Sequence, residues 1–259
     1  MYQVTAYSKW CNLLLVISLF SLEACQRVAE NQNDVGVKKK HRPEEAANYN
    51  IQLGLEYLKQ GNISRSKRKL LLALKQAPGS PEANAAMAYF MEKSGEVENA
   101  TIYYQKAMAA APGRGTQFNN YGAFLCRQGD YAQAETYFLK AVNDIQYINT
   151  AGAYENAGLC AMASKNDAKA EQFFMKAIGQ DSSRTTSLYE LVKVEVKHAE
   201  YDKALSNLQK YSEIVMQSRD ILALAINVAH QAGKLELEAN YRRSLDIFGV
   251  NDHDNSNNG

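Results

Sequence analysis

The stretch YGAFLCRQGDYAQAETYFLKA, residues 121–141, decides the fold. It opens on Tyr121-Gly122, carries a lone glycine at Gly129, and then sets Ala134, Phe138 and Ala141 at spacings of three and four. Such spacing places side chains on one face of a helix. The unit reads as helix, tight turn, helix. Gly129 closes the first helix in a conformation that costs other residues more. Gly122 lets the second helix approach closely, Ala134 admits a neighbouring helix, and Phe138 fills the space between.

The same residue types return at a fixed interval in both directions. Gly61, Gly95 and Gly129 lie 34 apart, as do Ala73, Ala107 and Ala141, and Pro78 and Pro112. Thirty-four is the tetratricopeptide period. In that frame the repeats run 47–80, 81–114 and 115–148, slip by two residues, and resume at 151–184, 185–218 and 219–248. Repeat one carries Leu53-Gly54, Tyr57, Gly61, Leu70 and Ala73, and repeat four carries Ala157-Gly158, Ala161, Ala170, Phe174 and Ala177. Repeat six keeps Ala225, Ala229 and Gly233, but Ala239 falls one place late and Arg242-Arg243 follow, as suits a solvated terminal cap. The expected fold is all-α: a right-handed solenoid of about six helix-turn-helix repeats forming one domain over 44–250. Few prolines and abundant Ala, Leu and Lys agree with it.

The ends read differently. Lys9-Trp10 precede an apolar run, Leu13 to Leu22, which ends in Leu22-Glu23-Ala24-Cys25. As a helix that run rises only about 15 Å, roughly half of a bilayer's hydrocarbon core, so it reads as an export signal over 1–24. Its ending resembles the bacterial lipobox, with Cys25 as the lipidated residue, although Glu23 departs from the small or apolar residue usual there. Gln26 is not the aspartate associated with inner-membrane retention, so the resemblance implies an outer-membrane anchor facing the periplasm; a soluble periplasmic protein is the alternative. Residues 25–43 read as a lipidated cysteine and polar tether, and 251–259 as a disordered tail. Cys126 and Cys160 fall on first helices of neighbouring repeats at different faces, and are expected as two buried thiols instead of a bridge.

A formal net charge of +1 gives no reason to expect nucleic acid. No His-Glu-x-x-His, Cys-x-x-Cys or glycine-rich phosphate loop occurs, so the expectation is no enzyme, no metal, no cofactor and no small-molecule substrate. The expected activity is protein binding. First helices line the groove of such a solenoid, which makes Ile51, Leu55, Leu58, Tyr89, Glu92, Asn119, Leu159 and Met162 the candidate binding residues. Leu55 and Leu58 equally suit packing against the helix that enters from the tether. Asn119 and Arg127, with Lys93 nearby, hint at a carboxylate clamp, against which Asn119 and Asn120 also suit helix pairing.

Three phrases go beyond a generic repeat: Ile51-Gln52-Leu53-Gly54-Leu55-Glu56-Tyr57-Leu58-Lys59-Gln60-Gly61-Asn62, Asn119-Asn120-Tyr121-Gly122-Ala123-Phe124-Leu125 and Tyr154-Glu155-Asn156-Ala157-Gly158-Leu159. The chain resembles, over roughly 44–248, the type IV pilus biogenesis lipoproteins of the PilF and PilW kind. That resemblance implies a pilotin, an outer-membrane lipoprotein that binds the secretin subunit of the pilus machinery and promotes its insertion and multimerisation. A general periplasmic scaffold for another envelope complex is the alternative.

Overall fold

A computed structural model describes residues 42–111 and 114–256, all of whose regular elements are α-helices. The expected signal, Cys25 and the tether up to residue 41 lie outside the described residues. The description below concerns the compact unit that begins at Ala47, together with the first turn of the helix that leads into it. Its helices are α1 (Pro43–Lys59), α2 (Ile63–Gln76), α3 (Pro81–Lys93), α4 (Val97–Ala110), α5 (Gly115–Arg127), α6 (Tyr131–Val142), α7 (Thr150–Ala163), α8 (Asp167–Gln180), α9 (Thr185–Lys197), α10 (Tyr201–Lys210), α11 (Ser212–Gln217), α12 (Arg219–Gln231) and α13 (Leu235–Ser256). Set against the 34-residue frame these make six pairs, with the short α11 continuing the second helix of repeat five after a break at Tyr211. The last helix runs on to Ser256, past the Asn251 at which a disordered tail was expected. No proline interrupts it, and helix propagation adds one bond per residue fixed.

Local chemistry sets the helix starts. The Ser80 hydroxyl accepts from the Ala83 N–H, Pro81 occupies the first helical position and Glu82 sits in the first turn of α3. Asp130 and Asn166 cap α6 and α8 in the same way, each accepting from the N–H three residues on.

In repeats one, three and four the pair closes over a missing side chain. A Cβ built on Gly54 would lie 2.6 Å from Leu70 Cδ2, one on Gly122 would lie 3.0 Å from Phe138 Cδ1, and one on Gly158 would lie 2.6 Å from Phe174 Cε1. Leu70, Phe138 and Phe174 are consequently buried to the last few per cent. In repeat five the equivalent positions are Val192 and Leu208, both buried, so that pair carries a branched side chain where the others have glycine. The alanines expected at close contacts, Ala73, Ala107, Ala134, Ala141 and Ala177, are all buried, and the core forms one connected cluster from Ala47 to Tyr241. Repeat six ends as a cap should. Tyr241 is buried, whereas Ala239 is exposed and the Arg242 guanidinium donates to Glu238 at 2.6 Å.

The two-residue slip makes a braced loop. Asp144 Oδ2 accepts from the Gly115 N–H at 2.5 Å, and Tyr147 packs so closely on Gly115 that a Cβ there would lie 2.4 Å from its side chain. This bracing leaves Ile145 and Ile148 99% and 98% exposed. The slip also corrects the reading of the cysteines. Cys126 and Cys160 form a disulfide between α5 and α7, with Cα atoms 5.8 Å apart. They sit two repeat positions apart, which rotates one relative to the other by about 200° around a helix at 100° per residue. Neighbouring helices side by side meet through opposite faces, so the difference in face that spoke against a bridge is what allows it.

Every turn within a pair passes through the left-handed region. Gly61, Gly95, Gly129 and Gly233 do so with φ of 69–85°, and the equivalent Lys165 and Ala199 with φ of 61° and 59°. A residue with a Cβ is strained there by about 1–2 kcal/mol. A second locally unfavourable residue is Glu195, fully buried in α9. Asn207 Nδ2 donates to its Oε1 at 2.7 Å and Lys203 Nζ lies 3.9 Å away, but Oε2 has no partner. Burial, opposed by Lys203 and reinforced by Glu171 and Glu200, raises its pKa from 4.5 to about 7.

Ala199→Gly is expected to stabilise the protein by roughly 0.5–1 kcal/mol, the strain removed less the added freedom of the unfolded chain. A lower urea midpoint in the variant would refute this. For Glu195 the folded state keeps a proton that the unfolded chain loses, so its contribution is complete below about pH 4.5 and is lost as pH rises to about 7. Glu195→Gln should flatten that dependence and raise stability at pH 8 by an amount on the order of 2–3 kcal/mol, checked by urea unfolding at pH 5 and pH 8.

Candidate binding groove

The first three repeats enclose a cavity of about 820 Å³. Its apolar wall is built at helical spacing: Ile51, Leu55 and Leu58 from α1, and Ala85, Ala86 and Tyr89 from α3. Ile51 belongs to the buried core, while Leu55 and Leu58 are half-buried against it and leave part of each side chain to the cavity. Thr116, Gln117, Asn120, Ala123 and Arg127 of α5 form a further wall. From Thr116 to Arg127 the helix rises about 16 Å, the length of roughly five extended residues or three helical turns.

The far end of the cavity is organised by a buried carboxylate. Glu92 has a side chain only 6% exposed; it accepts from Arg127 Nε at 2.5 Å and Nη2 at 2.9 Å, and from the Tyr104 hydroxyl at 3.2 Å. A two-pronged bond of this kind fixes both partners. Burial, and after it the Glu92 charge, pushes the Tyr104 hydroxyl pKa well up, so it stays a donor. The bond from Glu92 also raises the pKa of Arg127 against the opposing effect of burial. Tyr104 in turn stacks near Phe124, 4.9 Å between ring centroids, and so anchors α4 under the cavity. Lys93 places its ammonium 5.3 Å from the centre of the Tyr89 ring.

Of the residues read from the repeat frame, Ile51, Leu55, Leu58 and Tyr89 come together in this cavity, and the others do not. Glu92 is consumed in holding Arg127 and Tyr104. Asn119 accepts from Asn156 Nδ2 at 3.0 Å, joining α5 to α7, so no carboxylate clamp assembles from Asn119 and Arg127. Leu159 is 39% exposed and Met162 half-buried on α7, outside this cavity. The frame also missed Ile63 and Tyr104, which line the cavity from second helices. Attention to first helices alone hid them, although both begin or punctuate an apolar pattern. Among the described residues no cluster suited to a metal ion occurs, and no helix is long and apolar enough to cross a membrane.

Comparison with known proteins agrees with this architecture. The tetratricopeptide repeat family model matches residues 151–184, the fourth repeat. The chain is 31% identical over 202 residues to the type IV pilus assembly protein PilF of Pseudomonas aeruginosa, covering 78% of this chain and 80% of that one. A solved structure of P. aeruginosa PilF superposes with a TM-score of 0.62 at 29% identity, covering 81% of this chain and 99% of the other. The structure of PilW, described as a widely conserved type IV pilus biogenesis factor, shares the fold with a TM-score of 0.60 at 24% identity, over 78% and 92% of the two chains. A protein of Haemophilus influenzae without assigned function is 33% identical over 120 residues, covering 46% of this chain and 67% of its own. With similarity to PilF over more than three quarters of its length, the chain belongs to the family of the type IV pilus assembly protein PilF, tetratricopeptide proteins of pilus biogenesis.

Proposed function

We propose that this protein is a pilotin: a lipoprotein anchored through Cys25 at the periplasmic face of the outer membrane, which binds the secretin subunit of the type IV pilus machinery and promotes its multimerisation there. The observation that carries the reading is the apolar cavity of repeats one to three, a surface that a protein without a partner has no reason to leave open. Its aliphatic and aromatic lining suits a helix or strand inserted from another protein. The Leu22-Glu23-Ala24-Cys25 ending supports the anchor, and the Cys126–Cys160 bond suits the oxidising periplasm.

The mechanism needs no chemistry at the groove. An anchor with several acyl chains keeps the solenoid at one membrane surface. Binding there turns secretin assembly into an encounter between molecules already confined together, which raises their effective concentration. Catalysis plays no part in this account; the work is done by holding.

Leu55→Arg combined with Leu58→Arg is expected to abolish secretin multimers in outer membranes while circular dichroism shows unchanged helicity. Each arginine places a charge against an apolar partner, and hot-spot losses of this kind cost about 2 kcal/mol or more. Tyr89→Ala, at a side chain one-third exposed, is the milder companion and should weaken secretin binding several-fold. Normal multimers in the double variant would sink the proposal. The anchor is tested separately by mass spectrometry of the mature protein, in which an N-terminal Cys25 bearing acyl chains is expected and an unmodified N-terminus would remove the membrane step.

A further inference from the structure

We infer that the groove takes an apolar peptide segment carrying an acidic side chain, with Lys59 and Lys93 receiving the carboxylate and Gln117 accepting a hydrogen bond from one of the segment's N–H groups. This deepens the reading of the cavity as the partner-binding site and rests on it.

The charge argument begins with the repeat. Lys59, Lys93 and Arg127 occupy the same place in three successive repeats, near the ends of α1, α3 and α5, and all three line the cavity. They are not equivalent. Arg127 is neutralised by Glu92, whereas Lys59 has no carboxylate partner among the described residues and Lys93 faces only the Tyr89 ring. The acidic residue of the lining, Glu82, lies near the start of α3, and it is engaged by the Ser80 hydroxyl at 2.9 Å and by Arg114 at 3.8 Å. One end of an apolar cavity therefore presents two uncompensated ammonium groups. Apolar walls reduce the screening of such charges, so a carboxylate is favoured there and an ammonium opposed.

The second observation is independent of charge. Gln117 is 3% exposed and lines the cavity, and its side-chain oxygen is fully buried without a hydrogen-bond partner. A buried acceptor left unpaired costs about 1–3 kcal/mol. A donor from an occupant would remove that cost. Gln117 lies ten residues before Arg127 on α5, about 15 Å along the helix axis, so its acceptor stands towards the start of that helix, away from the helix ends that carry Lys59, Lys93 and Arg127.

The test uses three synthetic leucine- and alanine-based peptides, about fifteen residues long, that differ only in bearing Glu, Gln or Lys beside the apolar run. Fluorescence anisotropy with the full-length protein should rank them Glu, Gln, Lys in falling affinity, with roughly a tenfold span at low salt. Lys59→Glu with Lys93→Glu, at exposed positions, should invert the ranking. Gln117→Met should do two opposite things: raise the urea midpoint, because an unpaired acceptor is gone, and weaken the Glu peptide several-fold. Equal affinities, a preference for Lys in the unaltered protein, failure of all three peptides to bind, or undiminished binding by Gln117→Met each overturn the inference. Because the peptides are synthetic, these results are separate from secretin assembly. Loss of multimers in the Leu55→Arg, Leu58→Arg variant without an acidic preference would leave the pilotin reading standing and remove this one.

Discussion

Everything in the repeat domain depends on how closely the two helices of a pair can approach. At Gly54, Gly122 and Gly158 the first helix offers bare backbone; Leu70 and Phe174 lie against it at a distance a Cβ would not permit, and Phe138 at one that a Cβ would crowd. The large side chain is then enclosed on all sides, which is how a two-helix unit with little interior of its own gains a core. Burying such a side chain is worth about 1.5–3 kcal/mol relative to leaving it in water. Neighbouring units complete the enclosure, and no single repeat is sufficient. The position of the groove follows, since first helices placed by this contact carry the apolar wall.

The groove itself is shaped by polar residues as much as by apolar ones. Glu92, Arg127 and Tyr104 come from α3, α5 and α4, so their hydrogen bonds tie three helices together at one end of the cavity. A buried carboxylate is tolerated because its oxygens are satisfied by a guanidinium and a hydroxyl. Glu195 is the contrasting case in the same chain: one of its oxygens has no partner, and the cost appears as a raised pKa. The difference lies in the neighbours available, an arginine with two donors facing Glu92 and only an amide and a more distant ammonium facing Glu195.

Much of this was legible in the sequence, because a 34-residue period repeats the same packing problem six times. Glycine at the close contact, glycine at the turn and alanine at the crossings are each favoured by sterics, so the helix pairs could be read directly, and with them four residues that the cavity brings together, Ile51, Leu55, Leu58 and Tyr89. What could not be read was how polar side chains choose among partners. Glu92 and Asn119 stand at groove positions by spacing, yet an arginine 35 residues later and an asparagine 37 residues later claim them. The cysteine bridge was hidden for a related reason. It depends on the rotational offset created by the slip between repeats three and four, and a repeat frame treats that slip as an interruption. Lys165 and Ala199, at the turn, show that the backbone rule outlasts the residue that best satisfies it.

The bridge between α5 and α7 alters how the array can come apart. A solenoid held only by nearest-neighbour contacts loosens from its ends, one unit at a time. Repeats five and six, with the buried Glu195 and a solvated cap, are the weak side of this one. A covalent link between repeats three and four stops such unzipping before it reaches the cavity, because the third repeat cannot part from the fourth. The C-terminal pairs are thereby free to breathe while the binding surface keeps its form, which divides the chain into a fixed receptor and a compliant end.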